Sequence, residues 1–248
     1  MTIKILIDLS HNEQINSFPE QIFRNSDFFF DFTRPTDDLS EINLNQYNLI
    51  ILGNPKPRKT SEMLFKTAEI IKLKEYVKKG GNLLITSGAR GDYNLGNKLG
   101  SLRAFYKITG IIQYHYSILF HMSKKRYFEK KTNLIINKFP KHPIFDGFNN
   151  KDKIIFAKST YFTLVPGSIQ NIILHSPEET DAHDYLKDEE TTVGKVPILV
   201  LNEYYKGRVV VVGASEFLKK NESNGFEAGS NRKFIFGLMS WLLKKKIS

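Results

Sequence analysis

The chain has 248 residues, 41% of them hydrophobic and 25% charged, the balance of a folded globular protein. It contains no cysteine, which excludes disulfides, thiolate metal sites and a cysteine nucleophile, and which agrees with a reducing, cytoplasmic setting. The formal net charge of +10 comes from lysines scattered along the chain, so a solvated surface is the first reading of it.

The opening MTIKILIDLSHNEQ holds a short apolar run that meets Asp8, His11 and Glu13 at once. It is too short and too soon charged for a signal peptide or a membrane span, and no later run approaches the roughly 20 apolar residues that spanning needs. Residues 3–9 read as a buried strand. Ser17-Phe18-Pro19-Glu20 forms a capping box that predicts a short helix to about Asn25. Residues 28–32 are a second strand closed by Arg34-Pro35, and residues 48–53 are a third, ending in the turn signal Asn54-Pro55. Thr67 is placed to cap a helix whose Ile70, Leu73 and Val77 share one face, with Gly80-Gly81 stopping it. Residues 83–86 resume as a strand. Strand, helix and strand with short joints predict a parallel crossover, so residues 1–87 read as the core of a parallel sheet in an α/β protein.

Residues 94–106 predict a helix and residues 108–116 a return to strand. Residues 117–170 mix short apolar runs with Pro140, Pro143 and Pro166 and read either as an elaboration at the sheet edge or as a small subdomain. Short strands are expected at 154–156, 161–164 and 172–174. The polar, acidic residues 176–195 predict an exposed, mobile loop. Residues 198–202 and 208–212 make an antiparallel pair joined through Tyr204-Tyr205-Lys206-Gly207. A closing helix starts near Asn231, with Phe234, Leu238, Trp241 and Leu242 on one side. No repeat or long linker divides the chain, which is read as one domain, 1–248.

Several segments together carry a family resemblance. They are the strand end Asp8-Leu9-Ser10-His11, and the helix Leu73-Lys74-Glu75-Tyr76-Val77-Lys78-Lys79-Gly80-Gly81 running into an apolar strand. Later come His142-Pro143-Ile144-Phe145, then Gly207-Arg208-Val209-Val210-Val211-Val212-Gly213-Ala214-Ser215-Glu216-Phe217, and the closing helix with Asn231 and Trp241-Leu242. Over roughly residues 1–115 and 140–245 this order resembles the class I glutamine-amidotransferase-like superfamily. More narrowly, it resembles the non-enzymatic branch that contains the N-terminal domain of a ciliary intraflagellar transport complex-B subunit and its prokaryotic relatives. The resemblance implies a flavodoxin-like three-layer sandwich: a mainly parallel sheet, helices on both faces and a few antiparallel edge strands. It also implies where an enzyme of the superfamily would carry its nucleophile, on the turn after residues 83–86. That turn reads Thr86-Ser87-Gly88-Ala89-Arg90-Gly91, and Ser87 lacks the first of the two flanking small residues an elbow needs. Where the late catalytic histidine would stand, residues 213–217 offer Ser215 and Glu216 instead. Amidotransfer is therefore not expected, and a non-catalytic binding or scaffold role for a protein partner or small ligand is.

Ligands of open parallel sheets sit at the carboxyl ends of the strands, where strand order reverses. Asp8, Ser10, His11 and Glu13 should gather there with Asn54, Ser87, Gly88, Arg90, Gly91, Ser215 and Glu216. Gly88 and Gly91 would leave backbone N–H groups able to cradle an anion. Asp8, His11 and Glu13 have two readings. Two carboxylates and an imidazole suit a divalent ion or acid–base work on a small polar substrate, sugar-like by resemblance to the trehalose-utilisation branch. Alternatively, Asp8 braces its loop and His11 is simply exposed beside it. No metal set and no cofactor is assigned on sequence. His142 is expected to order its own loop. His115 and His121, six residues apart, would share one face of a strand without a third ligand. The clusters Lys124-Lys125-Arg126, Lys130-Lys131 and Lys244-Lys245-Lys246 carry no recognisable nucleic-acid signature.

Overall fold

The computed structural model describes residues 2–13, 15, 17–23, 27–56, 63–91, 102–166, 172–220 and 223–247. The first strands are β1 (Ile3–Asp8), β2 (Phe28–Phe32) and β3 (Leu49–Gly53), followed by helix α1 (Thr67–Lys78) and strand β4 (Asn82–Thr86). Next come α2 (Tyr106–Thr109), β5 (Ile111–Tyr114), β6 (Ser117–Phe120), β7 (Asn133–Ile136), β8 (Ile154–Ala157) and β9 (Phe162–Leu164). The chain finishes with β10 (Ile172–His175), β11 (Asp181–Asp184), β12 (Glu189–Thr192), β13 (Pro197–Tyr204), β14 (Gly207–Val212) and α3 (Asn231–Leu243).

Seven of these strands form one sheet, in the order β2-β1-β3-β4-β14-β13-β10. The run from β2 to β14 is parallel throughout, while β13 and β10 add antiparallel strands at one edge. The parallel part has the flavodoxin-like order, whose reversal point lies between β1 and β3. Apart from the edge strand β2, its strands are buried on both faces, which is why they read as unbroken apolar runs. Leu6, Ile50, Leu52, Leu83, Ile85 and Val211 face α1 through Ile70, Leu73 and Val77. The alternate residues Ile5, Ile7, Leu49, Ile51, Leu84 and Val212 face Phe234, Leu238, Trp241 and Leu242 of α3. Each such side chain contributes about 1.5–3 kcal/mol on leaving water, and together they fix the register that aligns the strand ends. The expected α/β sandwich, with helices on both faces and antiparallel edge strands, is the fold observed.

Several departures from the sequence reading have physical causes. Residues 176–195 are not a loop: β11 and β12 form a hairpin that pairs with β6 in a three-stranded sheet. The segment after Ser17 forms a 3-10 turn, Glu20–Phe23, rather than the expected α-helix, and Asn25 lies outside the described residues. Of the helix expected over 94–106, residues 94–101 also lie outside them; the rest of that stretch holds the 3-10 turn Leu102–Phe105 and the start of the four-residue α2. Thr67 is the first residue of helix α1 rather than its cap: Lys66 holds the N-cap position, and its N–H donates to the Glu69 carboxylate at 2.8 Å. Among the described residues no helix is long and apolar enough to cross a membrane.

Two further small sheets, β5–β9 and β7–β8, belong to the elaboration between β4 and β13. Its backbone lies across the carboxyl ends of the main sheet. The Ala89 N–H donates to the Lys158 carbonyl at 2.6 Å, the Arg90 N–H to Ser117 at 3.1 Å, and the Thr160 N–H to Gly213 at 2.7 Å. His115 and His121 do not share a strand face, because β5 ends before His115 and β6 ends before His121. His115 stacks on Tyr161 with ring centroids 3.8 Å apart and bonds Thr163 Oγ1. His121 accepts from the Ser123 N–H and donates to the Glu178 carbonyl. His142 does order its loop, accepting from the Ile144 N–H at 3.3 Å.

Candidate functional site: a buried histidine between carboxylates

Strand β1 ends at Asp8, beside the reversal point, and the chain there turns back on itself within five residues. Asp8 braces that turn: its Oδ1 accepts from the Ser10 N–H at 3.1 Å, from the Ser10 hydroxyl at 2.7 Å and from the Thr33 hydroxyl at 2.8 Å. Thr33 Oγ1 in turn accepts from the Leu9 N–H at 2.7 Å, which ties the end of β2 to the end of β1. The His11 N–H donates to Glu13 Oε2 at 2.9 Å, closing the turn.

These bonds swing the imidazole inward, against the face of Phe65 with ring centroids 4.4 Å apart. His11 is therefore buried rather than exposed beside the loop. Its Nδ1 lies 2.6 Å from Asp8 Oδ2 and 3.8 Å from Glu13 Oε1, and its Nε2 lies 3.2 Å from Glu69 Oε2. Glu69 comes from the first turn of α1, where Oε2 also accepts from the Lys66 N–H and Oε1 from the Leu39 N–H at 3.1 Å. Glu69 was absent from the set drawn from sequence. Fifty-eight residues separate it from His11, and on sequence it is indistinguishable from the acidic residue that commonly opens a helix.

The charges of this group are set by its geometry. Burial disfavours the imidazolium, but the hydrogen bonds and charges of Asp8 and Glu69 outweigh that and raise the His11 pKa to about 9. Burial also pushes the Asp8 carboxyl upward, but the bonds from His11, Glu13 and Ser10 and the nearby positive charge hold it well below the usual carboxylate range. Glu13 has no such compensation. Burial first, and then the charge of Asp8 beside it, push it up to about 11. As two carboxylates, Asp8 and Glu13 would have no proton between them, and Glu13 Oε1 has no hydrogen-bond partner among the described residues. As a protonated acid, Glu13 supplies that proton to Asp8 itself.

The remaining sequence-selected residues line the same edge of the sheet in strand order, but in separate environments. Asn54 follows β3 in a left-handed conformation with φ of 58°, and its N–H donates to the Thr86 carbonyl at 3.0 Å. Ser87 follows β4; its N–H donates to the Val212 carbonyl, and its hydroxyl is fully buried with no hydrogen-bond partner among the described residues. The anion cradle expected at Gly88 and Gly91 is not formed. The amides of Ala89, Arg90 and Gly91 all donate to backbone carbonyls, Gly91 to that of Gly88 at 2.8 Å. Gly91 serves close packing instead: its φ is 45°, and a Cβ there would stand 2.0 Å from the His115 carbonyl oxygen. Arg90 is exposed and lies over the Tyr185 ring, 5.1 Å from its centroid. Ser215 is buried at the start of the 3-10 turn Glu216–Leu218, and Glu216 pairs with Lys219 at 2.9 Å and Lys158 at 3.7 Å. So Asp8, Ser10, His11 and Glu13 form one group, joined by Glu69 and Thr33, while Ser87 and Ser215–Glu216 stand apart from it.

With this geometry established, comparison with known proteins is informative about architecture. No protein-family model matches the sequence, and no curated protein matches it either. Solved structures do. The mmIFT52 N-terminal domain superimposes with a TM-score of 0.70 at 16% identity, covering 98% of this chain and 99% of that one. A putative ThuA-like protein from Bacteroides uniformis gives 0.60 at 16% identity, over 98% and 92% of the two chains. A cytoplasmic protein from Salmonella typhimurium gives 0.57 at 12% identity, over 97% and 99%. The likeness is one of fold. At these identities the chemistry has to be argued from the site itself.

Proposed function

We propose that the chain is a non-catalytic, amidotransferase-like binding or scaffold domain of the cytoplasm that recognises a protein partner or a small ligand. One observation carries this reading. His11, the histidine at the carboxyl edge of the sheet, has both ring nitrogens committed to buried carboxylates, so neither is free to accept a proton from a nucleophile. Ser87, at the position of a superfamily nucleophile, has no base in contact with it among the described residues. A hydroxyl without a base at its ordinary acidity is a poor nucleophile. The fold likeness to the mmIFT52 N-terminal domain is compatible with this reading.

A second reading rests on a specific feature: Glu13 and Asp8 are neighbouring carboxyls held in opposite protonation states. Pairs of that kind divide acid and base roles in some hydrolases and lyases. It would assign Asp8, His11 and Glu13 to a small polar, sugar-like substrate. Burial of the group opposes it, since substrate must reach the acid and the base.

Both readings are tested by incubating the purified full chain with glutamine, simple esters and a panel of glycosides, alongside Ser87→Ala and Glu13→Gln. The binding-domain reading expects all three proteins to match the buffer rate. Turnover abolished by Ser87→Ala would replace it with a nucleophilic hydrolase, and turnover abolished by Glu13→Gln with the acid–base reading.

A further inference from the structure

The group around His11 has the parts of a metal centre in their usual relation. In such centres the ligating histidine donates its other ring N–H to a carboxylate, which fixes the tautomer and aims the first nitrogen at the metal; the ligating carboxylates are hydrogen-bonded in turn. Here Glu69 occupies that outer position, 3.2 Å from His11 Nε2, and is itself held by the amides of Leu39 and Lys66. His11 Nδ1 is thereby turned toward Asp8 Oδ2 and Glu13 Oε1. One ligand atom from each of Asp8, His11 and Glu13 falls within 4.8 Å of the other two. Asp8 is oriented from outside by the hydroxyls of Ser10 and Thr33.

A second observation points to an occupant. Glu13 Oε1 is an oxygen on a side chain with no solvent exposure, aimed at His11 Nδ1, without a hydrogen-bond partner among the described residues. Between that oxygen and Asp8 there is room either for the proton of a neutral Glu13 or for a cation in its place, and a cation would serve both carboxylates and the imidazole at once.

We propose that Asp8, His11 and Glu13 bind one divalent cation in a closed site, with Glu69 as the outer partner of the imidazole. One imidazole and two carboxylates select first-row ions from Mn2+ to Zn2+ over Ca2+ and Mg2+, which prefer all-oxygen ligands. Bonds of about 2.0–2.2 Å to nitrogen and oxygen set the ligands roughly 3.0–3.4 Å apart, octahedral to tetrahedral, so Asp8 Oδ2 and His11 Nδ1 must part from their present 2.6 Å by roughly half an ångström. The site is closed because Asp8 and the Glu13 side chain have no exposure and that of His11 is 8% exposed. Three protein ligands leave a fourth position open, but with the group buried beyond the reach of a substrate a cation here would act structurally. It would clamp β1 to the start of α1 across the strand-order reversal. This goes beyond the binding-domain reading, and because turnover and cation binding are separate readouts, either can fail alone.

The test uses the full chain stripped with EDTA and dialysed free of chelator, titrated calorimetrically with Zn2+ and with Mn2+. Wild-type protein should take up one equivalent of at least one of these ions, and its melting temperature should rise as the free ion exceeds its Kd. Glu13→Gln, which keeps the side chain's shape, should lose the binding and the melting shift, while Glu69→Gln should weaken binding by about 10–100-fold. No saturable uptake of either ion by wild-type protein would overturn the proposal. Equal uptake by wild type and Glu13→Gln would overturn it too, by placing the ion elsewhere, for example on the acidic hairpin.

Discussion

At the scale of single residues, the carboxyl edge of the sheet is organised around one imidazole. Asp8, His11 and Glu13 were legible in the sequence because short polar residues after a first parallel strand have few other places to go. Their burial was not legible. It depends on Phe65 and Glu69 arriving from α1 and the residues just before it, and nothing local announces that contact. The charges then set a pH dependence for the metal-free protein. His11 has its pKa raised from 6.5 to about 9, so its contribution to stability is complete below pH 6.5 and is lost as pH rises through 9. Glu13, raised from 4.5 to about 11, contributes fully below pH 4.5 and less at every step toward 11. Asp8 is shifted the other way: its contribution is present above 3.8 and lost as pH falls below that. Chemical denaturation in EDTA should therefore show stability falling from pH 6.5 to 9. Glu13→Gln carries a neutral group permanently and should be more stable than wild type at pH 8 by roughly 2–4 kcal/mol. A variant less stable than wild type at that pH would mean that Glu13 is ionised in the fold.

At the scale of elements, the sequence was most readable where burial is two-sided and least where it is absent. Strands β1, β3 and β4 and helices α1 and α3 announce themselves by apolar runs or a 3.6-residue period. The β13–β14 pair was readable from the short connection through Tyr204-Tyr205-Lys206-Gly207, which the structure tightens to Tyr205-Lys206 by carrying the strands to Tyr204 and Gly207. The β11–β12 hairpin was not. All four residues of β12, Glu189–Thr192, are exposed, and in β11 only Ala182 is buried, so no alternation marks either strand. What holds the hairpin is backbone pairing of β11 to both β12 and β6. Hydrogen exchange should then separate the two strands. Amides of Asp181–Asp184, paired on both sides, should exchange more slowly than those of Glu189–Thr192, which sit at an edge. Equally fast exchange in both would restore the mobile loop expected from composition.

At the scale of the whole molecule, strand order decides what the strand ends can do together. The order β2-β1-β3-β4-β14 brings the ends at Asp8, Asn54, Ser87 and Gly213 side by side, as a parallel α/β core implies. The elaboration between β4 and β13, whose short strands at 154–156 and 161–164 the sequence showed without showing where they pack, lies over that edge and uses its amides. The fold likeness to the mmIFT52 N-terminal domain spans nearly the whole of both chains. The proposed function depends on both ring nitrogens of His11 being engaged inside this closed edge, which in the metal-free protein makes the ring an imidazolium. A 15N NMR titration of the His11 ring in metal-free protein measures that state directly. A ring with both nitrogens protonated through pH 8 and titrating near 9 is the expected result. A neutral ring by pH 7, with one nitrogen open to accept a proton, would contradict it and return a general base to the site.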